Sequence, residues 1–267
     1  MLDINHIYHA DIFDLLPEIE NESLDLIMCD GPYGVTAHDW DKVGNIQQFN
    51  LGLIQAFAPK LKPGAVLYLF GKHDCVDFID YRPYLNLRRR IIWYQPSRLA
   101  QGKNTYTNNY DVICYFVKPS AHGNGDEARV FDLDAIRVSQ LVELTHRRRC
   151  ESVPSVRAGK FAGTKFNDKG KNPGDVWGDI KQLTYKSHEL LAREVLHTIQ
   201  KPEKLMERLL RASTRAGDLV LDPFAGTGTC PVVCEKLGRN YIGVEKQKHL
   251  VAMAQGRLAS LTKQASA

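Results

Sequence analysis

The chain of 267 residues has no long hydrophobic run, since no apolar stretch approaches the roughly 18 residues of a membrane span. Its first residues, MLDINHIYHADIF, carry acids and histidines where a secretory signal needs a basic start and an apolar stretch. Hydrophobic residues make up 43% of the chain and charged residues 25%, which is ordinary for a globular protein. We therefore expect a cytoplasmic protein with no membrane partner.

Cysteine is sparse and lacks the spacing of a metal site. The six cysteines include no C-x-x-C pair, and only Cys230 and Cys234 share a helical spacing. A structural metal site needs a second ligand pair, and none accompanies these two residues. The sequence therefore predicts no metal and favours core packing for the thiols.

The net charge is also small, at +4, but the basic residues are unevenly distributed. Between Thr145 and Pro173 lie eight basic residues against two acidic ones. Such a local excess suits a polyanion partner and, on charge alone, equally suits a solvated loop. The basic residues that we expect to contact a partner are Arg147, Arg148, Arg149, Arg157, Lys160 and Lys165.

Short apolar runs alternate with amphipathic segments along most of the chain. The predicted strands are Leu24–Asp30, Ala65–Phe70, Arg90–Tyr94, Val112–Val117, Asp218–Leu221 and Tyr241–Val244. The predicted helices are Ile46–Ala58, Pro202–Ser213, Cys230–Leu237 and Lys246–Leu261. This alternation predicts an α/β fold, with a parallel sheet covered by helices on both faces. The pattern fades in residues 118–187, which we expect to be an insertion between residues 1–117 and 188–267 of one domain.

A glycine-rich loop follows a predicted strand near the end of the chain, in the run LVLDPFAGTGT. Gly226 and Gly228 let the backbone turn sharply and approach a ligand closely. Glu245 ends the next strand, where a carboxylate can accept hydrogen bonds from both ribose hydroxyls of a nucleoside cofactor. Asp222 can hold a cationic amine but would repel a pyrophosphate. Pro231 stands where a dinucleotide-binding loop has its third glycine, which disfavours that alternative.

A second motif, Asp30-Gly31-Pro32-Tyr33, directly follows a predicted strand. The exocyclic amine of a nucleobase is a poor nucleophile, because its lone pair is delocalised into the ring. Two acceptors on its N–H bonds, the Asp30 carboxylate and the Gly31 carbonyl, would let the nitrogen pyramidalise and attack a methyl group. Pro32 would hold the turn rigid and Tyr33 would stack on the base. Read in isolation, the same residues equally indicate a plain turn.

Together and in this order, the two motifs resemble the β class of S-adenosylmethionine-dependent DNA amino-methyltransferases. In that class D-P-P-Y precedes a target recognition region, and the cofactor loop D-P-F-x-G-x-G-T comes last. The resemblance implies a Rossmann-like methyltransferase fold whose mostly parallel sheet has one antiparallel strand, placed at Val112–Val117. It makes residues 118–187 the target recognition region. It also implies S-adenosylmethionine as methyl donor and a base flipped out of double-stranded DNA as substrate.

The resemblance also assigns individual residues. It makes Asp30, Gly31, Pro32 and Tyr33 catalytic and gives the DNA contacts to the basic residues named above. The cofactor contacts that it implies are Asp11, Ile12, His197, Gln200, Lys201, Asp222, Phe224, Ala225, Gly226, Gly228, Thr229 and Glu245. Two departures stand out: Gly31 replaces the first proline of D-P-P-Y, and Thr198-Ile199 replaces Pro-Thr in the segment before Gln200.

Aspartate rather than serine at the first position of the motif favours adenine as the target, by analogy with the family. The alternatives are a cytosine-N4 DNA methyltransferase, an RNA methyltransferase, a non-catalytic DNA-binding relative and, more distantly, a dehydrogenase. The resemblance further implies a homodimer and a restriction endonuclease that acts separately on the same DNA.

Overall fold

A computed structural model describes residues 2–36, 38–96, 104, 106–121, 123–139, 169–184, 187–190 and 200–265, with side chains described as far as residue 261. The strands are β1 His6–His9, β2 Leu24–Cys29, β3 Leu61–Gly71, β4 Asn86–Tyr94, β5 Tyr110–Val117, β6 Val176–Trp177, β7 Leu219–Asp222 and β8 Asn240–Glu245. The α-helices are α1 Ile12–Leu15, α2 Ile46–Phe57, α3 Leu133–Ile136, α4 Glu203–Ser213, α5 Thr229–Leu237 and α6 Lys248–Ala265. Short 3-10 helices cover Leu16–Glu18, Asp39–Asp41 and Ala58–Lys60.

The described strands form one sheet of eight, in the order β1-β8-β7-β2-β3-β5-β4-β6. Strand β5 is antiparallel to both of its neighbours, β3 and β4. All other neighbouring strands are parallel. The predicted mostly parallel sheet, with its single antiparallel strand at Val112–Val117, is therefore confirmed.

Helices pack on both faces of this sheet, as the alternating pattern predicts. On one face, Leu53, Ile54 and Phe57 of α2 are fully buried against the strands. On the other face, α4, α5 and α6 enclose a second core that includes Leu205 and Leu209. The central strands are therefore buried on both sides, which explains why they read as continuous apolar runs. The five cysteines among the described residues are free and buried in these cores.

Strand β6 lies inside the region that the sequence assigns to the insertion. Ile92 and Trp93 of β4 pair with Val176 and Trp177 of β6. The Trp93 indole N–H also donates a hydrogen bond of 2.8 Å to the Ile180 carbonyl oxygen. The later flank of region 118–187 therefore packs on the main sheet. Within the described part of the chain, none of the helices combines the length and apolar composition needed to cross a bilayer.

Candidate active site

Four acidic residues lie at one edge of the sheet. Strands β1, β8, β7 and β2 are neighbours and all run parallel, so their carboxyl ends meet at that edge. Glu245 and Asp222 end their strands, Asp30 follows β2 directly, and Asp11 lies two residues beyond β1. The carboxyl edge of an open α/β sheet is where such folds bind ligands. The structure thus brings both sequence motifs into one site.

The Glu245 carboxylate holds the glycine loop. It accepts hydrogen bonds from the Gly226 N–H at 2.9 Å and from the Gln247 N–H at 2.7 Å, one on each oxygen. Burial raises the pKa of Glu245, and the hydrogen bonds from Gln247 and Gly226 oppose part of that rise. A carboxylate offers about four acceptor positions, so each oxygen can still receive a ligand hydroxyl.

Gly228 brings the loop close to helix α6. Its φ is +76°, and a Cβ at this position would lie 2.7 Å from the Cβ of Ala254. Only glycine satisfies both conditions without strain. Thr229, the first residue of α5, is buried and receives a hydrogen bond of 3.1 Å from the Arg257 guanidinium. Helix α6 therefore fixes the loop through both contacts.

Asp222 is a buried carboxylate with little to compensate its charge. The Phe224 N–H donates a hydrogen bond of 3.3 Å to it, and no ion pair with this carboxylate is found among the described residues. Burial raises the pKa of Asp222 well above its usual value, and the negative charges of Asp30 and Glu245 raise it further. The uncompensated charge of Asp222, with two further carboxylates nearby, favours a ligand that carries positive charge.

We expect the substitution Asp222→Asn to stabilise the ligand-free protein by about 1–3 kcal/mol where Asp222 is ionised, because it removes a poorly satisfied buried charge. The folded-state pKa of Asp222 lies above the unfolded value, so wild-type stability falls as pH rises between those two values. The gain is therefore full above the raised pKa and disappears below about pH 4. Thermal unfolding as a function of pH measures it, and a difference in unfolding temperature that does not grow as the pH rises from about 4 would contradict it.

The Asp30 carboxylate is held by two partners. The Tyr33 hydroxyl donates a hydrogen bond of 2.9 Å to Oδ1, and the Lys201 ammonium lies 2.7 Å from Oδ2. Lys201 is buried, and its Nζ also lies 5.2 Å from the centroid of the Tyr33 ring. Burial and the charge of Asp30 raise the pKa of Tyr33 well above its usual value, so the phenol stays a hydrogen-bond donor. The site therefore presents an oriented carboxylate beside an aromatic ring.

Gly31, which replaces the first proline of the motif, lies against the ring of Phe224. A Cβ on Gly31 would lie 2.9 Å from Cε2 and 3.0 Å from Cδ2 of that ring. Either distance is shorter than a normal carbon–carbon contact. The two motifs therefore touch directly, and glycine at 31 permits this closeness.

A buried polar cluster borders Tyr33 on the side of β3, β4 and β5. The Lys72 ammonium lies 5.3 Å from the Tyr33 ring centroid and 2.8 Å from Oδ1 of Asp111. The Gln95 amide donates a hydrogen bond of 2.9 Å to Oδ2 of Asp111. Because β5 is antiparallel, its first residues lie at the same edge as the carboxyl ends of β3 and β4. The sequence interpretation missed this cluster; a charged residue opening the apolar run Asp111–Val117 was the available signal.

A model of the DNA methylase family matches residues 24–256. The chain belongs to the DNA methylase family. It is 29% identical over 262 residues to the Type II methyltransferase M1.MboII of Moraxella bovis, covering 95% of this chain and 96% of that protein. It is 31% identical over 262 residues to the DNA adenine methyltransferase YhdJ of Escherichia coli (strain K12), covering 94% of this chain and 82% of that protein. The crystal structure of the M1.HpyAVI–SAM complex shares the fold, with a TM-score of 0.60, 23% identity and coverage of 95% and 98%.

The remaining predicted cofactor residues of this methylase differ in their contacts and in the groups that can face a ligand. Asp11 caps α1 by accepting a hydrogen bond of 3.0 Å from the Phe13 N–H, and it lies 3.1 Å from the Lys246 ammonium. The Ile12 side chain is buried in the core, so only its main chain can face a ligand. Gln200 is buried, and its amide donates to the Glu189 carbonyl oxygen at 2.7 Å.

Seven predicted site residues of the methylase lie outside the described residues: His197, Arg147, Arg148, Arg149, Arg157, Lys160 and Lys165. Their assignments stay predictions. Among the residues that are described, no group of three or more histidine, cysteine or acidic side chains is arranged to hold a metal ion.

Proposed function

We propose that the protein transfers a methyl group from S-adenosylmethionine to the exocyclic amine of an adenine flipped out of double-stranded DNA. One observation carries the proposal. The Asp30–Tyr33 pair, which can hold an amine, lies at the strand end next to Asp222 and close to Glu245, which can hold a cationic nucleoside. Nucleophile and methyl donor would thus meet at one edge of the sheet.

The buried carboxylates fit the chemistry of this cofactor. S-Adenosylmethionine carries a sulfonium and an ammonium, and the poorly compensated charge of Asp222 would be relieved by a cation. The free acceptor positions on Glu245 suit the two ribose hydroxyls, while Gly226 and Gly228 allow close approach of the loop. When bound, the cofactor supplies an electrophilic methyl group.

The residues of the motif orient and activate the amine. Asp30 accepts one N–H of the adenine amine and the Gly31 carbonyl accepts the other, which directs the nitrogen lone pair toward the methyl group. The Tyr33 hydroxyl fixes the Asp30 carboxylate, and its ring supports the flipped base. As the new N–C bond forms, the bond between the methyl carbon and sulfur breaks, and sulfur keeps the electron pair and leaves as a neutral thioether. The nitrogen gains positive charge and passes one proton to Asp30. The negative charge of Asp30 thus stabilises the transition state.

Two observations favour adenine over cytosine. The motif begins with aspartate, and the relative YhdJ, at 31% identity, is named a DNA adenine methyltransferase. We extend the proposal to region 118–187, whose basic residues between Thr145 and Pro173 would contact the DNA. The family resemblance adds a homodimer and a restriction endonuclease that acts separately, and both remain predictions.

The experiment is methyl transfer from labelled S-adenosylmethionine to genomic DNA of mixed sequence, followed by digestion and identification of the nucleosides by mass. We expect N6-methyladenine as the labelled product. N4-methylcytosine would keep the mechanism but reverse the base. If no DNA nucleoside is labelled although the cofactor binds, the proposal is wrong. An RNA panel would then separate an RNA methyltransferase from a non-catalytic relative.

A further inference from the structure

Asp41 is a buried carboxylate that faces the catalytic turn from a short 3-10 helix. It is 1% exposed, and it accepts hydrogen bonds from four successive main-chain N–H groups. Those of Tyr33 and Gly34 lie 2.6 and 2.9 Å from Oδ1, and those of Val35 and Thr36 lie 2.9 and 2.6 Å from Oδ2. A carboxylate that receives four such donors fixes the path of the segment around it.

The charge of Asp41 is maintained by these contacts. Burial pushes the pKa of Asp41 upward, but hydrogen bonds from Thr36, Gly34 and Tyr33 outweigh burial and lower it below its usual value. Asp41 is therefore ionised at neutral pH. Its role toward the turn is that of a fixed anion rather than a group that exchanges protons.

The segment after Tyr33 includes a residue whose side chain contributes little packing and a glycine in a left-handed conformation. Val35 is 59% exposed, and Gly34 takes a φ of +68°. The main chain of Tyr33 is thus held by Asp41, while its hydroxyl is held by Asp30. If the hydrogen bond to Asp41 is lost, the Tyr33 ring can move even though Asp30 is unchanged.

We propose that Asp41 is a positioning residue for methyl transfer, which sets the main chain of Tyr33 so that its ring and hydroxyl meet the base and Asp30. The inference rests on the proposed function of the same site. It assigns no contact with substrate to Asp41. A displacement of about 1 Å at a reacting group costs on the order of 100-fold in rate. A residue that fixes the position of Tyr33 should therefore have a measurable effect on the methyl-transfer rate.

The test compares Asp41→Asn with Asp39→Asn at saturating DNA and S-adenosylmethionine. The asparagine side chain keeps the shape of the aspartate but has one acceptor oxygen, so about half of the hydrogen bonds are lost. We expect the methyl-transfer rate to fall by roughly 10- to 100-fold, with the dissociation constant for S-adenosylmethionine unchanged within about twofold. Asp39 is the matched control, because it lies on the same 3-10 helix with a side chain 97% exposed. Its substitution should leave the rate unchanged.

A double-mutant cycle separates positioning from general stabilisation. If Asp41 acts through Tyr33, Asp41→Asn should change the rate by less than about threefold in a Tyr33→Ala background, since interacting residues are not additive. An equal loss in both backgrounds would overturn the proposal. Asp41→Glu keeps the charge and serves if Asp41→Asn unfolds; its rate should lie between those of wild type and Asp41→Asn.

The outcomes also distinguish this inference from the proposed function. If the wild-type protein methylates no nucleic acid, the proposed function fails. If the wild type methylates DNA and folded Asp41 variants do so at the same rate, the function stands and the positioning role is wrong.

Discussion

Replacing Asp30 with asparagine should reduce methyl transfer by about 10³-fold while S-adenosylmethionine still binds. The amide has nearly the shape of the carboxylate but lacks its charge, so it cannot stabilise the positive charge that develops on the amine. It also leaves the buried Lys201 ammonium without the anion that lies 2.7 Å from it. The proposed cofactor contacts of Glu245 and the glycine loop should be unaffected, because the hydrogen bond between Gly226 and Glu245 does not involve Asp30. Single-turnover kinetics and isothermal titration with the cofactor measure the two quantities separately.

Asp14→Asn is the matched control for Asp30→Asn, because Asp14 is exposed on α1 and the net charge changes equally. It should methylate at the wild-type rate. If Asp30→Asn instead retained near wild-type activity, the base pocket would have been assigned to the wrong end of the sheet. A combined loss of cofactor binding and thermal stability would show that the Asp30–Lys201 pair serves mainly to hold the fold.

The second large effect concerns Glu245. We expect Glu245→Gln to weaken S-adenosylmethionine binding by about 10- to 100-fold, because one charge-assisted hydrogen bond is worth about 1.5–3 kcal/mol. The glutamine NH₂ would also face the N–H of Gly226 or Gln247, where an acceptor is needed. At saturating cofactor the methyl-transfer rate should return to within a few-fold of wild type. Cofactor titration followed by a saturation curve tests both statements.

Glu235→Gln controls for charge in this experiment, since Glu235 is exposed on α5, away from the carboxyl edge of the sheet. It should leave cofactor affinity unchanged. A Glu245→Gln variant that binds the cofactor as tightly as wild type would contradict the ribose assignment. The acidic partner of the cofactor would then be sought at Asp11 or Asp222.

The residues that could be predicted from sequence are those whose chemistry is local. Asp30-Gly31-Pro32-Tyr33 and the loop from Asp222 to Thr229 each follow an apolar strand, and parallel strands must place their carboxyl ends at one edge. Helix α2 was predicted from its spacing and begins at the predicted residue, Ile46, where the Asn45 side chain caps it by accepting a hydrogen bond of 2.9 Å from the Gln48 N–H. Strand β5 was assigned its reversed direction from the family resemblance, and the structure confirms it.

The features that could not be predicted depend on partners that are distant in sequence or on single side chains in loops. Strand β1 has only four residues and pairs with β8 more than 230 positions later, and the two-residue β6 is defined only by its pairing with β4. No feature of the sequence HDWDK distinguishes the buried Asp41 from the exposed Asp39. The polar contacts of Asp111 are with Lys72 and Gln95, which directly follow strands β3 and β4.

The contact between Gly31 and Phe224 ties the orientation of a ring in one motif to the residue that the other motif carries. A side chain at 31 and the present orientation of the ring at 224 exclude each other, because the nearest atoms would be 2.9 Å apart. The family pattern combines proline at this position with the phenylalanine of the D-P-F loop, so a proline at 31 would require the Phe224 ring to turn rather than to be replaced. Gly31 therefore permits one rotamer of an aromatic side chain that lies almost two hundred residues away in the sequence.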